Sequence, residues 1–307
     1  ALANALTNLG INKGDRVIVF LPTCPQFMIS DFAILKTGAV LVPCSPILKA
    51  PELKHQAQES GTETIICLNT HLKLINSVQA ETRIKNIIVT SLEDFSPSES
   101  QEIRDIAGTY SLRRLILDHK PEAPNIDIDP IEDLAILAFT GGSTGVPKGV
   151  MLTHFQRFTN IVQGLPWMMA PIPTYRGSAS CMLAIPIFHA MGHYLMQSSI
   201  YWGLRIFLIP DPRDTASIVG VMNEYRPFLL FLVPTQLLKL AQPEIKIRRM
   251  PVMVMSGSAP LPAEVARKLE EKIKMPISEG YGLTETGPVT HINISVFSKV
   301  TRFASQT

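Results

Sequence analysis

Short apolar runs alternate along most of the 307-residue chain with longer segments in which apolar residues recur at helical spacing. The runs are four to six residues long and rich in Val, Ile, Leu and Phe, and most end at Pro, Ser, Asn or Thr. Continuous rather than alternating hydrophobicity is typical of strands covered on both faces, as in parallel sheets. We predict strands at residues 17–20, 39–42, 64–68, 86–89, 134–139, 181–185, 205–209, 229–233 and 252–255.

Helical patterns fill the stretches between these runs. The last of them has Pro262 at its start and Glu264 in its first turn, and both are typical of helix N-termini. Regular alternation of strands and helices predicts the α/β class, with doubly wound, mostly parallel sheets flanked by helices. We predict helices at residues 25–37, 51–60, 101–107, 154–164, 189–200, 214–225 and 262–274.

Two stretches interrupt this alternation. Residues 91–130 are more polar and irregular, and we interpret them as a surface connection. Three prolines disrupt the periodicity at residues 165–180. We therefore predict two α/β subdomains, residues 1–165 and 166–307.

Composition and charge narrow the class of protein. A hydrophobic content of 46% and a net charge of +2 indicate a globular chain and give no electrostatic reason to expect nucleic acid as a partner. The apolar runs are far shorter than the roughly 20 residues of a transmembrane helix, and the start lacks the pattern of a signal peptide. Because the chain opens within a helical pattern, we expect residues to be missing upstream.

The cysteines point to a reducing, cytoplasmic setting. They form no CxxC pair and no cluster with histidine, so the sequence predicts neither a zinc site nor a disulfide framework. The four residues are Cys24, Cys44, Cys67 and Cys181.

The stretch AILAFTGGSTGVPKGVMLTH, residues 135–154, carries the clearest chemistry. An apolar strand runs into Gly, Ser and Thr, then into a lysine and a segment that we predict to be helical. Converging backbone N–H groups, hydroxyls and an ammonium group suit a polyphosphate. The candidate phosphate-binding residues are Thr140, Gly141, Gly142, Ser143, Thr144, Gly145 and Lys148.

A Walker-type P-loop is the main alternative for this stretch. That motif needs Gly before the lysine and Ser or Thr after it, whereas this chain has Pro147 and Gly149. A Gly/Ser loop without a ligand is the other alternative, and the preceding strand and the placement of Lys148 argue against it.

The segment FTGGSTGVPKG resembles the phosphate-loop motif of the adenylate-forming superfamily, which includes acyl-CoA synthetases, luciferases, aryl-CoA ligases and peptide-synthetase adenylation domains. That family commonly has Ser where this chain has Gly141. Three further segments resemble family motifs in the same order: AIPIFHAMGH at 184–193, MSGSAPLP at 255–262 and SEGYGLTETG at 278–287. The resemblance covers about residues 1–292, and the last fifteen residues match nothing we recognise.

The resemblance implies roles for these residues. Tyr281 would stack on adenine, Thr284 would contact the α-phosphate and Glu285 would hold Mg²⁺, so that Lys148, Thr284 and Glu285 form the catalytic set. His189 would border the acyl pocket, and the segment FLVPTQLL adds Val233 and Pro234 to it. Glu279 stands where an amide is common and could accept a hydrogen bond from the adenine amino group. The remaining expected nucleotide contacts are Gly257, Ser258, Ala259, Pro260, Gly280 and Gly282.

The same resemblance implies a reaction and a fold. A carboxylate attacks the α-phosphate of ATP, and coenzyme A then displaces AMP from the acyl adenylate. The expected fold is the large, layered αβαβα N-terminal domain of the family. Its ribose-binding Thr-Gly-Asp motif, its small β-barrel and the C-terminal lid with the adenylation lysine would be missing, so we expect a truncated piece that is inactive in the full reaction.

The acid is predicted less directly. Peptide-synthetase domains usually place an aspartate near the Pro-x-Phe-His position, and PIFHAMGHYLMQSS has none. Its Met, Leu and aromatic residues favour a medium- or long-chain fatty acid over an aryl acid. A degenerate ATP-binding homologue and a phosphotransferase or P-loop NTPase remain alternatives, and oligomeric state and peripheral membrane contact stay open.

Overall fold

The computed structural model describes residues 1–96, 105–140, 145, 147–169, 177–249 and 251–293. The chain forms two compact units, Ala1–Phe158 and Thr159–Thr307. The helix α6 (His154–Met169) contains the division between them. Our sequence-based boundary, between residues 165 and 166, lies in the same helix and stays a prediction for the domain limits.

A seven-stranded sheet forms the centre of the first unit. Its strands are β1 (Arg16–Phe20), β2 (Val40–Pro43), β3 (Thr64–Leu68), β4 (Asn86–Thr90), β5 (Tyr110–Ser111), β6 (Leu134–Thr140) and β7 (Lys148–Thr153). Their order is β5-β4-β3-β1-β2-β6-β7, and all neighbours are parallel except β6 and β7. Since β2 lies on one side of β1 and β3 on the other, the chain winds in both directions. All five residues of β3 are buried, as expected for a strand covered on both faces.

Short helices connect and cover these strands. The α-helices are α1 (Leu2–Asn8), α2 (Pro25–Lys36), α3 (Ala50–Ser60), α4 (Leu72–Gln79) and α5 (Leu112–Leu117), and 3-10 turns span Asn69–His71 and Leu92–Phe95. Leu53 of α3 and Ile75 of α4 pack with Ile18, Ile65 and Val89 in one apolar cluster. This burial of aliphatic surface is the main source of the unit's stability.

One ion pair lies inside the first unit. Nη2 of Arg157, in the first turn of α6, donates to both carboxylate oxygens of Asp31 in α2 at 2.9 Å. The Asp31 side chain is fully buried and that of Arg157 nearly so. Because both charges have lost most of their contact with water, this pairing stabilises each of them.

The second unit is built on a six-stranded sheet. Its strands are β8 (Ser180–Leu183), β9 (Arg205–Leu208), β10 (Leu229–Leu232), β11 (Met253–Ser256), β12 (Ile277–Tyr281) and β13 (His291–Ile292), in the order β13-β12-β11-β10-β8-β9. Only β13 runs antiparallel to its neighbour. The helices are α7 (Ala190–Tyr201), α8 (Thr215–Tyr225), α9 (Pro234–Ala241) and α10 (Ala263–Ile273), with a 3-10 turn over Thr284–Thr286.

These sheets confirm the predicted fold class and all nine predicted strands, whose ends shift by no more than two residues. Three expectations need correction. The segment after Lys148 is the strand β7, because it pairs along its length with β6. Residues 105–107 are not helical, and 101–104 of that predicted helix lie outside the described residues. The stretch 91–130 is more than a surface connection, since it contributes β5 and α5, in which Leu112 is fully buried.

Further observations bear on membranes and metals. In the described part of the chain, no helix has the length and hydropathy to cross a bilayer. All four cysteines are free and buried, and burial raises the pKa of the Cys24 thiol to about 11. No group of three His, Cys, Asp or Glu side chains within the described ranges could hold a metal ion.

Candidate active site

The topology of the second sheet marks a natural place for a ligand. From β8 the chain goes to β9 on one side and then returns to β10 on the other side. In doubly wound sheets, ligands bind outside the carboxyl ends of the strands where the winding direction reverses. The loops that leave β8 and β10 carry His189 and Val233, which are therefore next to this point.

A cavity of about 330 Å³ lies at this edge of the sheet. Segments from four predicted motifs line it, and these segments follow β8, β10, β11 and β12. Neither carboxylate nor Lys or Arg side chains occur among the described residues that line it. The lining consists of Ile185, Pro186, His189, Ala190, Met191, Gly192, Val233, Ser258, Gly282, Leu283, Thr284 and Pro288.

Five predicted site residues thus come together from distant parts of the sequence. They are His189, Val233, Ser258, Gly282 and Thr284. Pro234 begins α9 directly behind Val233, and Gly257 follows β11 directly before Ser258. Ala259 and Pro260 are exposed and do not line the cavity.

The cavity lining mixes two kinds of residue. Ile185, Met191 and Val233 are aliphatic or thioether side chains, and Ser258 and Thr284 are hydroxyl-bearing residues. Ser258 has a φ of +68°, a conformation that non-glycine residues adopt only at some cost in free energy. A lining that combines apolar and small polar residues suits a ligand with an apolar part and a polar head.

His189 is the N-cap residue of α7 and lines the cavity. Its ring is 4.7 Å from that of Phe188, measured between centroids. The surrounding protein desolvates the charged form and lowers the pKa of His189. The imidazole is therefore neutral near pH 7, in keeping with the uncharged cavity wall.

The strand β12 holds the motif residues that we assigned to adenine. Glu279, Gly280 and Tyr281 are its last three residues, and Tyr281 is 61% exposed. The Tyr281 carbonyl accepts hydrogen bonds from the backbone N–H and the hydroxyl of Thr290, both at 3.0 Å. Pairing with β13 thus fixes the backbone on which Tyr281 stands.

A tight approach fixes the turn after β12. A Cβ built on Gly282 would lie 1.5 Å from the carbonyl oxygen of Pro288, so no larger residue fits without moving backbone. The 3-10 turn that follows carries Thr284, half-buried at the cavity, and Glu285, exposed to solvent. The glycine in this motif therefore serves close packing of two backbone segments.

The first unit carries the predicted phosphate loop at the end of the β6–β7 hairpin. Thr140 and Lys148 are register partners, and the Thr140 hydroxyl is 3.5 Å from the Lys148 carbonyl oxygen. Lys148 is exposed, and Gly145 adopts a φ of +88°. Gly141, Gly142, Ser143 and Thr144 lie outside the described residues. The expected convergence of this loop with Tyr281 and Glu285 on one nucleotide stays a prediction.

Among the residues that sequence reasoning missed are Pro288, which lines the cavity, and Asn160, which is bonded to the backbone on either side of Pro288. Asn160, in α6, is 7% exposed and hydrogen-bonds the backbone of Thr286 and Val289. Its partners are more than 120 residues away in the chain, so local pattern gives no sign of the contact.

A doubly wound sheet whose motif loops gather around one uncharged cavity defines a ligand-binding α/β domain. Comparison with known proteins identifies the family: the chain belongs to the AMP-binding enzymes, and the match covers residues 1–306. This finding confirms the resemblance to the adenylate-forming superfamily.

Named relatives include both fatty-acid and aryl-acid ligases. A long-chain-fatty-acid–CoA ligase of Bacillus subtilis is 33% identical over 312 residues, covering 95% of this chain and 55% of that protein. The 4-coumarate–CoA ligase 1 of Solanum tuberosum is 27% identical over 299 residues, covering 94% of this chain and 51% of that protein. The chain therefore spans about half the length of the curated relatives it matches.

Solved structures show the same fold. The crystal structure of a long-chain-fatty-acid–CoA ligase from Archaeoglobus fulgidus superposes with a TM-score of 0.81 at 21% identity. The match covers 95% of this chain and 57% of that one. This likeness agrees with the architecture described above for the two sheets.

Proposed function

We propose that the full-length protein activates a fatty acid of medium or long chain with ATP and transfers it to coenzyme A. In the first step, a carboxylate oxygen attacks the α-phosphorus of ATP and pyrophosphate leaves. In the second, the thiol sulfur of coenzyme A attacks the acyl carbon, AMP leaves and the thiol proton passes to solvent. The carboxylate is ionised at neutral pH, so the first step needs no general base.

The observation that carries this proposal is the cavity at the carboxyl edge of the second sheet. Its lining includes the hydroxyl-bearing residues Ser258 and Thr284 from the SGSAP and GYGLTET segments, and apolar residues from the PIFHAMG segment together with Val233. One cavity thus brings apolar residues that could contact an acyl chain together with the segments expected to bind the adenylate. The reaction joins those two groups.

On the nucleotide side, we assign adenine stacking to Tyr281 and α-phosphate contact to Thr284. The exposure of Tyr281 and the position of Thr284 in the cavity lining support this assignment. Lys148 would bring positive charge to the phosphates from the β6–β7 hairpin. Preorganised donors and positive charge of this kind stabilise the crowded, negative phosphorus centre of the transition state.

The residues present fit a requirement for Mg²⁺. Magnesium in nucleotide sites is usually held by one or two carboxylates together with substrate phosphates. Glu285 offers one exposed carboxylate on the turn that also carries Thr284. When bound, the ion would neutralise phosphate charge.

The cavity wall supports a fatty acid over other acids. An amino acid would need a carboxylate for its ammonium group, and none of the described lining residues supplies one. Met191 is unbranched and adapts to irregular apolar ligands. The Bacillus subtilis fatty-acid ligase is also more similar to this chain than the potato coumarate ligase. The coumarate relative nevertheless makes an aryl acid the second candidate.

The test measures pyrophosphate release and acyl-CoA formation by the full-length protein with octanoate, palmitate and coumarate. We expect a higher kcat/KM for the fatty acids, and a clear preference for coumarate would refute the fatty-acid assignment. Failure to form AMP with any of the three acids would favour a degenerate ATP-binding homologue.

The free, buried cysteines are in keeping with a cytoplasmic site of action, which is part of this proposal.

A pair of matched variants tests the role of the cavity. Val233→Phe adds a ring to the cavity wall and should raise KM for palmitate at least about tenfold, since filled space excludes the chain. Val252→Phe makes the same change at an exposed valine outside the cavity and should leave KM unchanged. Equal effects of the two variants on KM would contradict the assignment.

A further inference from the structure

The side chain of Asn160 forms hydrogen bonds with the backbone at the end of the 3-10 turn and in the loop that follows it. Its Nδ2 donates to the carbonyl oxygens of Thr286 at 3.2 Å and Val289 at 2.9 Å. Its Oδ1 accepts from the Val289 N–H at 3.2 Å. Three hydrogen bonds from one buried amide thus hold a single short backbone segment, and all of these residues belong to the second unit.

That segment forms part of the cavity and its support. Pro288, between the bonded residues, lines the cavity, and its carbonyl oxygen is the atom that leaves no room for a side chain at Gly282. Proline has no N–H, so this stretch of backbone has one fewer donor for hydrogen bonds that would hold it in place. The backbone N–H of Thr290, the next residue after Val289, donates a hydrogen bond to the Tyr281 carbonyl oxygen.

These contacts connect Asn160 to the residues assigned to the nucleotide. Thr284 and Glu285 lie on the turn immediately before the bonded segment, and Tyr281 lies on the strand that the segment pairs with. Displacing the segment would therefore displace all three. A misplacement of about 1 Å in a catalytic group can reduce the rate about 100-fold.

We propose that Asn160 is a positioning residue for ATP, which acts by holding the turn of Thr284 and Glu285 against the cavity. This inference rests on the proposed function. It requires an amide in particular, because two donors and one acceptor are used at once. A carboxylate in the same place would oppose two carbonyl oxygens, and an apolar side chain would leave three backbone groups without their partner.

The kinetic test compares Asn160→Asp with the wild type in full-length protein. At pH 8 we expect KM for ATP to rise at least about tenfold, while KM for the acid stays within about threefold. Burial and the two facing carbonyl oxygens should raise the pKa of the introduced carboxyl. Lowering the pH to 6 should then protonate more of it, and because a protonated carboxyl can donate one of the two lost hydrogen bonds, the deficit in kcat/KM for ATP should shrink. A general loss of structure would instead affect both substrates and show no recovery at lower pH.

Asn223 provides the matched control. Its amide also joins loop backbone, donating to the Lys246 carbonyl at 3.1 Å and accepting from the Arg248 N–H at 2.6 Å, but it does not line the cavity. Asn223→Asp should therefore leave KM for ATP unchanged. A KM for ATP in Asn160→Asp within twofold of the wild type, or an equal rise in Asn223→Asp, would overturn the inference.

A second measurement separates this inference from the proposed function. In Asn160→Ala, backbone hydrogen exchange should accelerate in the peptide covering residues 283–290 and stay slow in β10 and β11. Unchanged exchange in that peptide would overturn the positioning role even if ATP kinetics changed. If the wild type released no pyrophosphate from ATP, the proposed function would fail, whereas the exchange result would still report on the contact.

Discussion

Gly282→Ala is the most direct perturbation of the candidate site. The new Cβ would lie 1.5 Å from the Pro288 carbonyl oxygen, whereas real Cβ atoms essentially never approach closer than 3.0 Å. One of the two backbone segments must therefore move by about 1.5 Å. Neither side can yield by a rotamer change, since the obstacle is a backbone atom.

This displacement sets the expected magnitudes. Overpacking of this kind typically costs about 1–3 kcal/mol of stability. A shift of more than 1 Å next to Thr284 should lower kcat/KM for ATP at least about 100-fold. The functional loss should therefore exceed what partial unfolding explains, because most molecules remain folded after a loss of 1–3 kcal/mol from a typical total of 5–15 kcal/mol.

The assay combines urea denaturation with pyrophosphate release by the full-length protein. Gly220→Ala, in the helix α8, is the matched control, because a Cβ there meets nothing within 4 Å. That control should raise the free energy of unfolding by about 0.5–1 kcal/mol, since alanine favours the helix, and should leave the rate unchanged. A rate within threefold of wild type for Gly282→Ala would refute the reasoning.

Three further changes test the fold. Arg157→Leu should lower the free energy of unfolding, measured in urea, by about 3–5 kcal/mol, because it removes the buried guanidinium that pairs with the Asp31 carboxylate. Adding Asp31→Leu should restore at least half of that lost free energy. His71 has a pKa lowered by burial, so only the unfolded chain gains its proton as pH falls through about 6.5. The free energy of unfolding should then decrease by up to about 1.4 kcal/mol per pH unit, and His71→Phe should flatten this dependence; identical pH profiles would contradict it. Ser258→Gly should raise the free energy of unfolding by about 1 kcal/mol by relieving the positive φ, whereas Ser258→Val should lower it; the opposite order would count against backbone strain.

The interior strands could be predicted from the sequence, because each is a continuous apolar run that is covered on both faces of the sheet. The sequence was insufficient for β5, β7, β12 and β13. In β12 the sequence ISEGY has no apolar run, and the strand forms because the neighbouring β11 offers backbone partners to Ile277, Ser278 and Glu279. Pairing across a sheet depends on residues distant in the sequence, so the local pattern alone misses strands that form chiefly because a neighbouring strand pairs with them.

The candidate site shows the same limit. Motif residues such as Thr284 were recognised because their types and spacing resemble a family pattern. Pro288 and Asn160 were missed because their importance depends on a loop folding back against residues that are near only in space. Composition suggested that apolar residues of the PIFHAMG segment would line a pocket, but which residues line the cavity followed only from the structure.

The hairpin of β6 and β7 has a consequence for how freely the phosphate loop can vary. The two strands are held in register by backbone pairing from Ile136 with Leu152 to Thr140 with Lys148. A slip of one residue would turn the side chain of Lys148 to the opposite face of the sheet. The loop could therefore lengthen or shorten between Thr140 and Lys148 without changing the direction from which the ammonium group emerges, provided that the strands keep their alignment.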